Sequence, residues 1–258
     1  MMKSNLQASP KLKQSVELEA EKQAEKQIAN FLGTLSAKYE SGKSGAGTVS
    51  SGVGDRGGIS YGLYQMSSQP NGGTVIKFIS QPNFPWASRL KAYPIGSPEF
   101  AAVWREIAEK DARFERAQHQ FIRDNHYLPM VKSILNRCAI DLNDCSFALQ
   151  NVIWSCAVQH GGRSTLPMSC WMNLPIEVQN SDPLSRDTAW ITAIYTERGR
   201  VNDKGILVHF PSCSPEVQKS LKARFKSESL AALNMLTNSS KSISPSLAMA
   251  KMPLARKG

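Results

Sequence analysis

The sequence predicts a mostly helical α+β domain with one small β-sheet near its start. Three observations predict it. From Thr74 onward, apolar residues recur at three- and four-residue steps in segment after segment. Residues 42–74 instead hold ten glycines among many serines and threonines, with short alternating runs. Finally, 41% of the 258 residues are apolar, enough for one sizeable core.

Taken in order, residues 14–39 read as a long helix with an apolar stripe of Ala24, Ile28, Phe31, Leu32 and Leu35. Its first half is Glu, Lys, Gln and Ala, so residues 1–29 are expected to form a helical arm. The helix should stop near Glu40, where Ser41-Gly42 supplies a C-terminal break. Ile59 to Met66 alternate between glycine turns and predict a tight hairpin. Helical spacing then marks 74–80, 97–110, 111–126, 128–138, 144–160, 187–199 and 214–236. Leu149, Val152, Ile153, Cys156 and Ala157 predict a central helix. The proline-bearing stretches 81–96 and 163–186 read as irregular connections, and 238–258 as a basic tail without regular structure. The body is thus 30–237.

The net charge is +10, and +6 of it falls between Glu216 and the end. The main body is close to balanced, and its basic end could bind nucleic acid, an anionic membrane or an acidic polymer, or only solubilise the chain; a tail-driven nucleic-acid binder stays an alternative, but nucleic acid is not the expected partner. No apolar stretch is long enough to cross a bilayer. The opening run MMKSNLQASPKLKQ has no apolar leader core, so export by a route other than a secretory signal is expected. Five cysteines, Cys138, Cys145, Cys156, Cys170 and Cys213, are an odd number without a CxxC pair. Free thiols are expected, with a Cys138–Cys145 bridge open in an oxidising compartment. His119 and His126 lack a third nearby ligand, and no phosphate or dinucleotide fingerprint occurs. Neither a metal nor a cofactor is therefore expected.

The chemically informative feature is a glutamate closing a core helix, followed by a glycine-rich ribbon bearing an aspartate. Glu40 ends the first core helix, and Asp55 follows 15 residues later in Gly54-Asp55-Arg56-Gly57-Gly58. Two carboxylates on different elements are what glycoside hydrolysis needs. One is protonated to donate to the leaving oxygen, and one is ionised to activate water or stabilise the sugar cation. An apolar helix end suits the acid and a hydrated turn suits the base. Tyr61, Tyr64 and Gln65 are candidates for sugar stacking and hydrogen bonding. His126 and Gln159, each near a predicted helix end, are candidates for the far wall of a groove.

The full arrangement, Tyr39-Glu40-Ser41-Gly42, then the Gly-Asp-Arg-Gly turn, then Gly62-Leu63-Tyr64-Gln65, resembles the lysozyme superfamily, the goose type in particular. With FERAQHQFIRDNHYLPM and ALQNVIWSCAVQHGG, the pattern over about 30–235 is similar to chitosanase-like peptidoglycan hydrolase domains. Such domains occur as C-terminal extensions of type VI secretion spike (VgrG) proteins and in phage-type lytic proteins. The resemblance implies a lysozyme-like fold with the sheet after the first core helix, and a catalytic pair of Glu40 as acid and Asp55 as base. It further implies that Ser60 holds the attacking water, an inverting scheme with the carboxyls about 6.5–9.5 Å apart. One departure is that Ser67 stands where goose-type enzymes tend to have an aspartate after the Gln-hydrophobic pair, leaving Asp55 as the nearby second acid.

The implied function is a muramidase that cuts the peptidoglycan glycan strand. It would be made in the cytoplasm, delivered by a type VI-like apparatus, and act in the periplasm or cell wall of a target cell. A secretion carrier or spike protein and an immunity protein are implied partners. A phage endolysin, a chitosanase of the same fold, a lytic transglycosylase and a non-catalytic wall-binding module are the alternatives.

Overall fold

The computed structural model describes residues 32–33, 35–36, 45–53, 57–69, 71 and 73–248, with only the backbone for 239–248. The N-terminal arm, Glu40 and Asp55 lie outside the described residues. The architecture is mostly α with one small antiparallel sheet. Strand β1 (Ser60–Tyr61) pairs with β2 (Met66–Ser67), and Val49 adds a bridge to Tyr61.

The helices follow the predicted periodicity: α1 (Gly73–Ile79), α2 (Ala87–Leu90), α3 (Pro98–Lys110), α4 (Arg113–Ile122), α5 (Leu128–Cys138), α6 (Phe147–His160), α7 (Leu166–Met172), α8 (Ile176–Gln179), α9 (Pro183–Arg198) and α10 (Pro215–Ala248). Several boundaries differ from expectation. Helix α9 starts a turn early because Asp182 caps it, accepting from the N–H groups of Leu184 and Ser185, and Pro183 needs no donor at that position. The stretches 81–96 and 163–186 are not irregular throughout. They hold α2, α7 and α8, the second driven by the burial of Met168, Cys170 and Trp171. Helix α10 continues to Ala248 instead of stopping at 236.

The helix expected over 14–39 is broken within its second half. Leu32-Gly33 is a turn, and Gly33 has a φ of 94°, which no α-helix tolerates. A Cβ there would sit 2.7 Å from Cε2 of the Trp154 indole. The chain passes the core so closely that only glycine fits. Asn151 on α6 ties this segment down. Its Oδ1 accepts from the Gly33 N–H at 2.9 Å and its Nδ2 donates to the Phe147 carbonyl at 2.9 Å.

Helix α6 is the predicted central helix. Ala148, Leu149 and every residue from Asn151 to Ala157 are buried, so it is covered on all sides. Ser146 caps it, accepting from the Leu149 N–H. Trp154 on this helix, like Trp104 on α3 and Trp190 on α9, is fully buried, and side chains of that size each add a few kcal/mol of burial. All five cysteines are free thiols, and burial pushes Cys145 and Cys170 up to about 12.

Helices α4 and α5 form one rod joined by a π-helical turn, Arg123–Tyr127, in which the Leu128 N–H donates to the Arg123 carbonyl five residues back. Pro129 has no N–H to give to the carbonyl four residues before it, so the regular ladder cannot run through. The widened turn swings His126 toward the hairpin.

Candidate functional site

The hairpin builds one wall of a cleft. Its turn, Gly62 to Gln65, needs left-handed backbone at both ends, with φ of 81° at Gly62 and 47° at Gln65. The Gln65 N–H donates to the Gly62 carbonyl at 3.2 Å, and its own Nε2 donates to that oxygen at 3.0 Å. The cost of placing a non-glycine there is about 1 kcal/mol, and the second hydrogen bond offsets it.

A fully buried glutamine on α4 holds this turn. Gln118 Oε1 accepts from the Leu63 N–H at 2.8 Å, and its Nε2 donates to the Ala46 carbonyl at 3.1 Å. Trp104 Nε1 donates to the same carbonyl at 2.9 Å. One side chain thereby joins the hairpin, the 3-10 turn Gly45–Gly47 and α4.

Opposite lie the end of α6, the π turn and the first part of α10. Between the walls is a cavity of about 350 Å³. Ser60, Tyr64 and Gln65 line it from the hairpin, His126 from the π turn and Gln159 from α6. Gly57, two residues after Asp55, lies on the rim, and Arg224 and Phe210 close the α10 side. Residues far apart in sequence that were expected to share a groove are thus brought together.

Tyr61 is a correction. It is fully buried, with its ring 5.1 Å from Phe100 and 5.3 Å from Trp104, and it offers no face to a sugar. The reason is strand alternation: Ser60 faces the cleft, so its neighbour must face the core. Tyr64 reaches the cleft but is only 4% exposed, so it is wall and not an open stacking platform. Its hydroxyl is 2.7 Å from His119 Nδ1, and His119 stacks on Trp154 at 4.7 Å. Burial raises the Tyr64 phenol and pushes His119 down to about 4, keeping both neutral.

Chemistry dictates the state of His126. Its Nδ1 lies 3.3 Å from the Ala157 carbonyl, which can only accept, so Nδ1 holds the proton. Burial, aided by Lys77, lowers its pKa, although the carbonyl opposes the shift. The neutral ring keeps Nε2 as a hydrogen-bond acceptor.

Beneath Gln159 lies a buried charge cluster that sequence reasoning missed. Arg198 on α9 and Glu228 on α10 are fully buried and approach to 3.8 Å, and Arg224 Nε adds a contact to Glu228 at 3.4 Å. Arg198 donates to Gln159 Oε1, and its guanidinium lies 4.6 Å from the centre of the Phe225 ring. The only sequence signal was the presence of charges within otherwise apolar helical stripes at 198 and 228.

The geometry presents hydroxyl, amide and imidazole groups within one polar-and-apolar cleft. Among the described residues, no group of three or more His, Cys, Asp or Glu side chains is placed to hold a metal ion.

A family model described as "Type VI secretion system spike protein VgrG3-like, C-terminal" matches residues 32–229, which include both walls of the cleft. Over 140 residues the chain is 39% identical to the type VI secretion system spike protein VgrG3 of Vibrio cholerae serotype O1. That match covers 52% of this chain and 13% of the relative, so the chain corresponds to a small part of that protein's length. The chain belongs to the family of VgrG3-like C-terminal domains of type VI secretion spike proteins.

Proposed function

We propose that this domain is a peptidoglycan glycan-strand hydrolase, a muramidase, that acts as an antibacterial effector delivered by a type VI apparatus. The observation that supports this reading is the cleft itself. Ser60, Gln65, His126 and Gln159, drawn from three separate elements, meet in a cavity of about 350 Å³ that Gly57 also lines. Asp55 stands two residues before Gly57, a chain reach of at most about 7 Å.

In this mechanism Glu40 is the general acid and protonates the glycosidic oxygen. Asp55 is the base and takes a proton from water on the opposite face of the sugar, while the Ser60 hydroxyl orients that water. Gln65, His126 and Gln159 bind the sugar. Delivery on a spike places the enzyme in the periplasm of a target cell, and a producer needs an immunity protein that fills the cleft.

The test is digestion of purified sacculi with product identification by mass spectrometry. Glu40→Gln should abolish muropeptide release, and Asp55→Asn should lower it by about 10²–10⁴-fold. Full activity in either variant would refute the assignment of that residue. Products ending in anhydro sugars would replace hydrolysis with a lytic transglycosylase reaction.

A further inference from the structure

A second cavity, of about 400 Å³, lies between the loop closed by the Val201–Leu207 bridge and the first turns of α10. Lys204 lines it from the loop, and Lys219 and Lys222, three apart on one face, line it from α10. None of these three lines the cleft described above. No Asp or Glu lines the second cavity. Glu216, one turn before Lys219, has its carboxylate held by its own N–H and by Ser214. The three lysines are exposed, and among the described residues none of them is paired with a carboxylate.

Hydrogen bonds fix the frame that carries them. Gln218 is buried and also lines the cavity. Its Oε1 accepts from the Leu207 N–H at 2.9 Å and its Nε2 donates to the Phe210 carbonyl at 2.7 Å, tying the loop to α10. Asn202 Oδ1 accepts from the N–H groups of Lys204 and Ile206, both at 3.0 Å, and Gly205 closes the turn at a φ of 72°. Lys222 Nζ donates to the Gly205 carbonyl at 2.6 Å. An ammonium has three N–H groups, so this contact anchors Lys222 and leaves two donors over.

Three positive charges gathered around one concavity repel each other, and an anion seated among them removes that repulsion. A phosphate monoester carries close to two negative charges and three acceptor oxygens, which suits three separate point-charge donors better than a carboxylate with one charge and two oxygens. Ile206, Pro211 and Pro215 make another part of the lining apolar, where the carbon skeleton of a ligand can pack. We propose that this cavity is a binding site for an organic phosphate monoester, its phosphoryl group held by Lys204, Lys219 and Lys222. The site gives part of the basic end a task that the cleft does not. It does not depend on the glycan reading, and its failure would leave that reading untouched.

The test uses the full chain at low ionic strength. Glycerol 3-phosphate is titrated by calorimetry, and vesicles of phosphatidylcholine with and without phosphatidic acid are tested by co-sedimentation. Binding of glycerol 3-phosphate assigns a free organic phosphate. Binding only to vesicles that contain phosphatidic acid assigns a lipid headgroup, and either result supports the site. Lys204→Glu and Lys219→Glu should each weaken that binding by about tenfold or more. Both side chains are exposed, so their melting temperatures should stay within about 2 °C of the wild type. Lys226→Glu, on the same helix but outside the lining, should weaken binding by less than about threefold. A wild type that binds neither probe would overturn the proposal. So would an equal loss in Lys226→Glu, which would mean a diffuse basic helix in place of a site. Displacement of the bound phosphate by polyglutamate at equal charge concentration would overturn the preference for phosphoryl groups and point to an acidic protein instead.

Discussion

Replacing Gln118 with leucine removes the brace of the hairpin while nearly conserving volume. Two hydrogen bonds disappear, one from the Leu63 N–H and one to the Ala46 carbonyl. The Ala46 oxygen keeps Trp104 Nε1, so its loss is small, about 1 kcal/mol. The Leu63 N–H has no such second partner among the described residues, and leaving it unsatisfied costs about 1–3 kcal/mol more. The sum is about 2–4 kcal/mol. For a chain of this size that corresponds to a melting temperature lower by about 5–15 °C. The loss should not be confined to stability. The turn holds Gln65 in left-handed backbone, and without the brace that strain can relax and move Ser60, Tyr64 and Gln65 out of register with the far wall. The assay is paired: thermal and urea unfolding for stability, then the proposed glycan release at a temperature well below the variant's midpoint. Activity should fall by at least tenfold where the protein is still more than 95% folded, about 2 kcal/mol above its midpoint. A melting temperature within 2 °C of the wild type, or activity tracking only the folded fraction, would refute this account of Gln118.

Two further outcomes follow from packing and titration. Gly33→Ala forces a Cβ against the rigid Trp154 indole at left-handed φ; destabilisation of about 2–4 kcal/mol is expected in urea unfolding. Acidification should also destabilise the fold. Burial depresses His119 to about 4 and His160 to about 3, the latter with help from Arg198, and lowers His126, all from the ordinary 6.5. The unfolded chain therefore binds more protons below pH 6.5, and stability present above that pH is lost progressively toward pH 4 and below. Solvent screening at these partly exposed rings limits each to about 1–2 kcal/mol. Melting temperature against pH should show this slope, and His119→Gln should flatten it between pH 6.5 and 4.

The helical body was legible because burial on one face leaves a three-to-four-residue period that any reader of the chain can see. The central position of α6 followed from a run with no polar face. The hairpin was legible from its glycines, since left-handed turns leave few alternatives. Gly33 misled the reading for the opposite reason: inside an apolar helical stripe a single glycine looks tolerable, and only the nearby Trp154 shows that the chain must turn there. Tyr61 misled because an aromatic residue in a strand has the same identity whether it faces a sugar or the core.

Local sequence determined where the longer helices and the hairpin lie and which residues prefer turns. Those properties depend on neighbours a few positions away. Tertiary structure alone decided that Gln118 would brace the hairpin from 55 residues away in sequence, and that Arg198 and Glu228 would meet beneath Gln159. It also decided that a π turn ahead of Pro129 would bring His126 to the wall of the cavity. Such contacts depend on how whole helices cross, and a polar side chain bears no mark in the sequence of the partner it will find once water is gone.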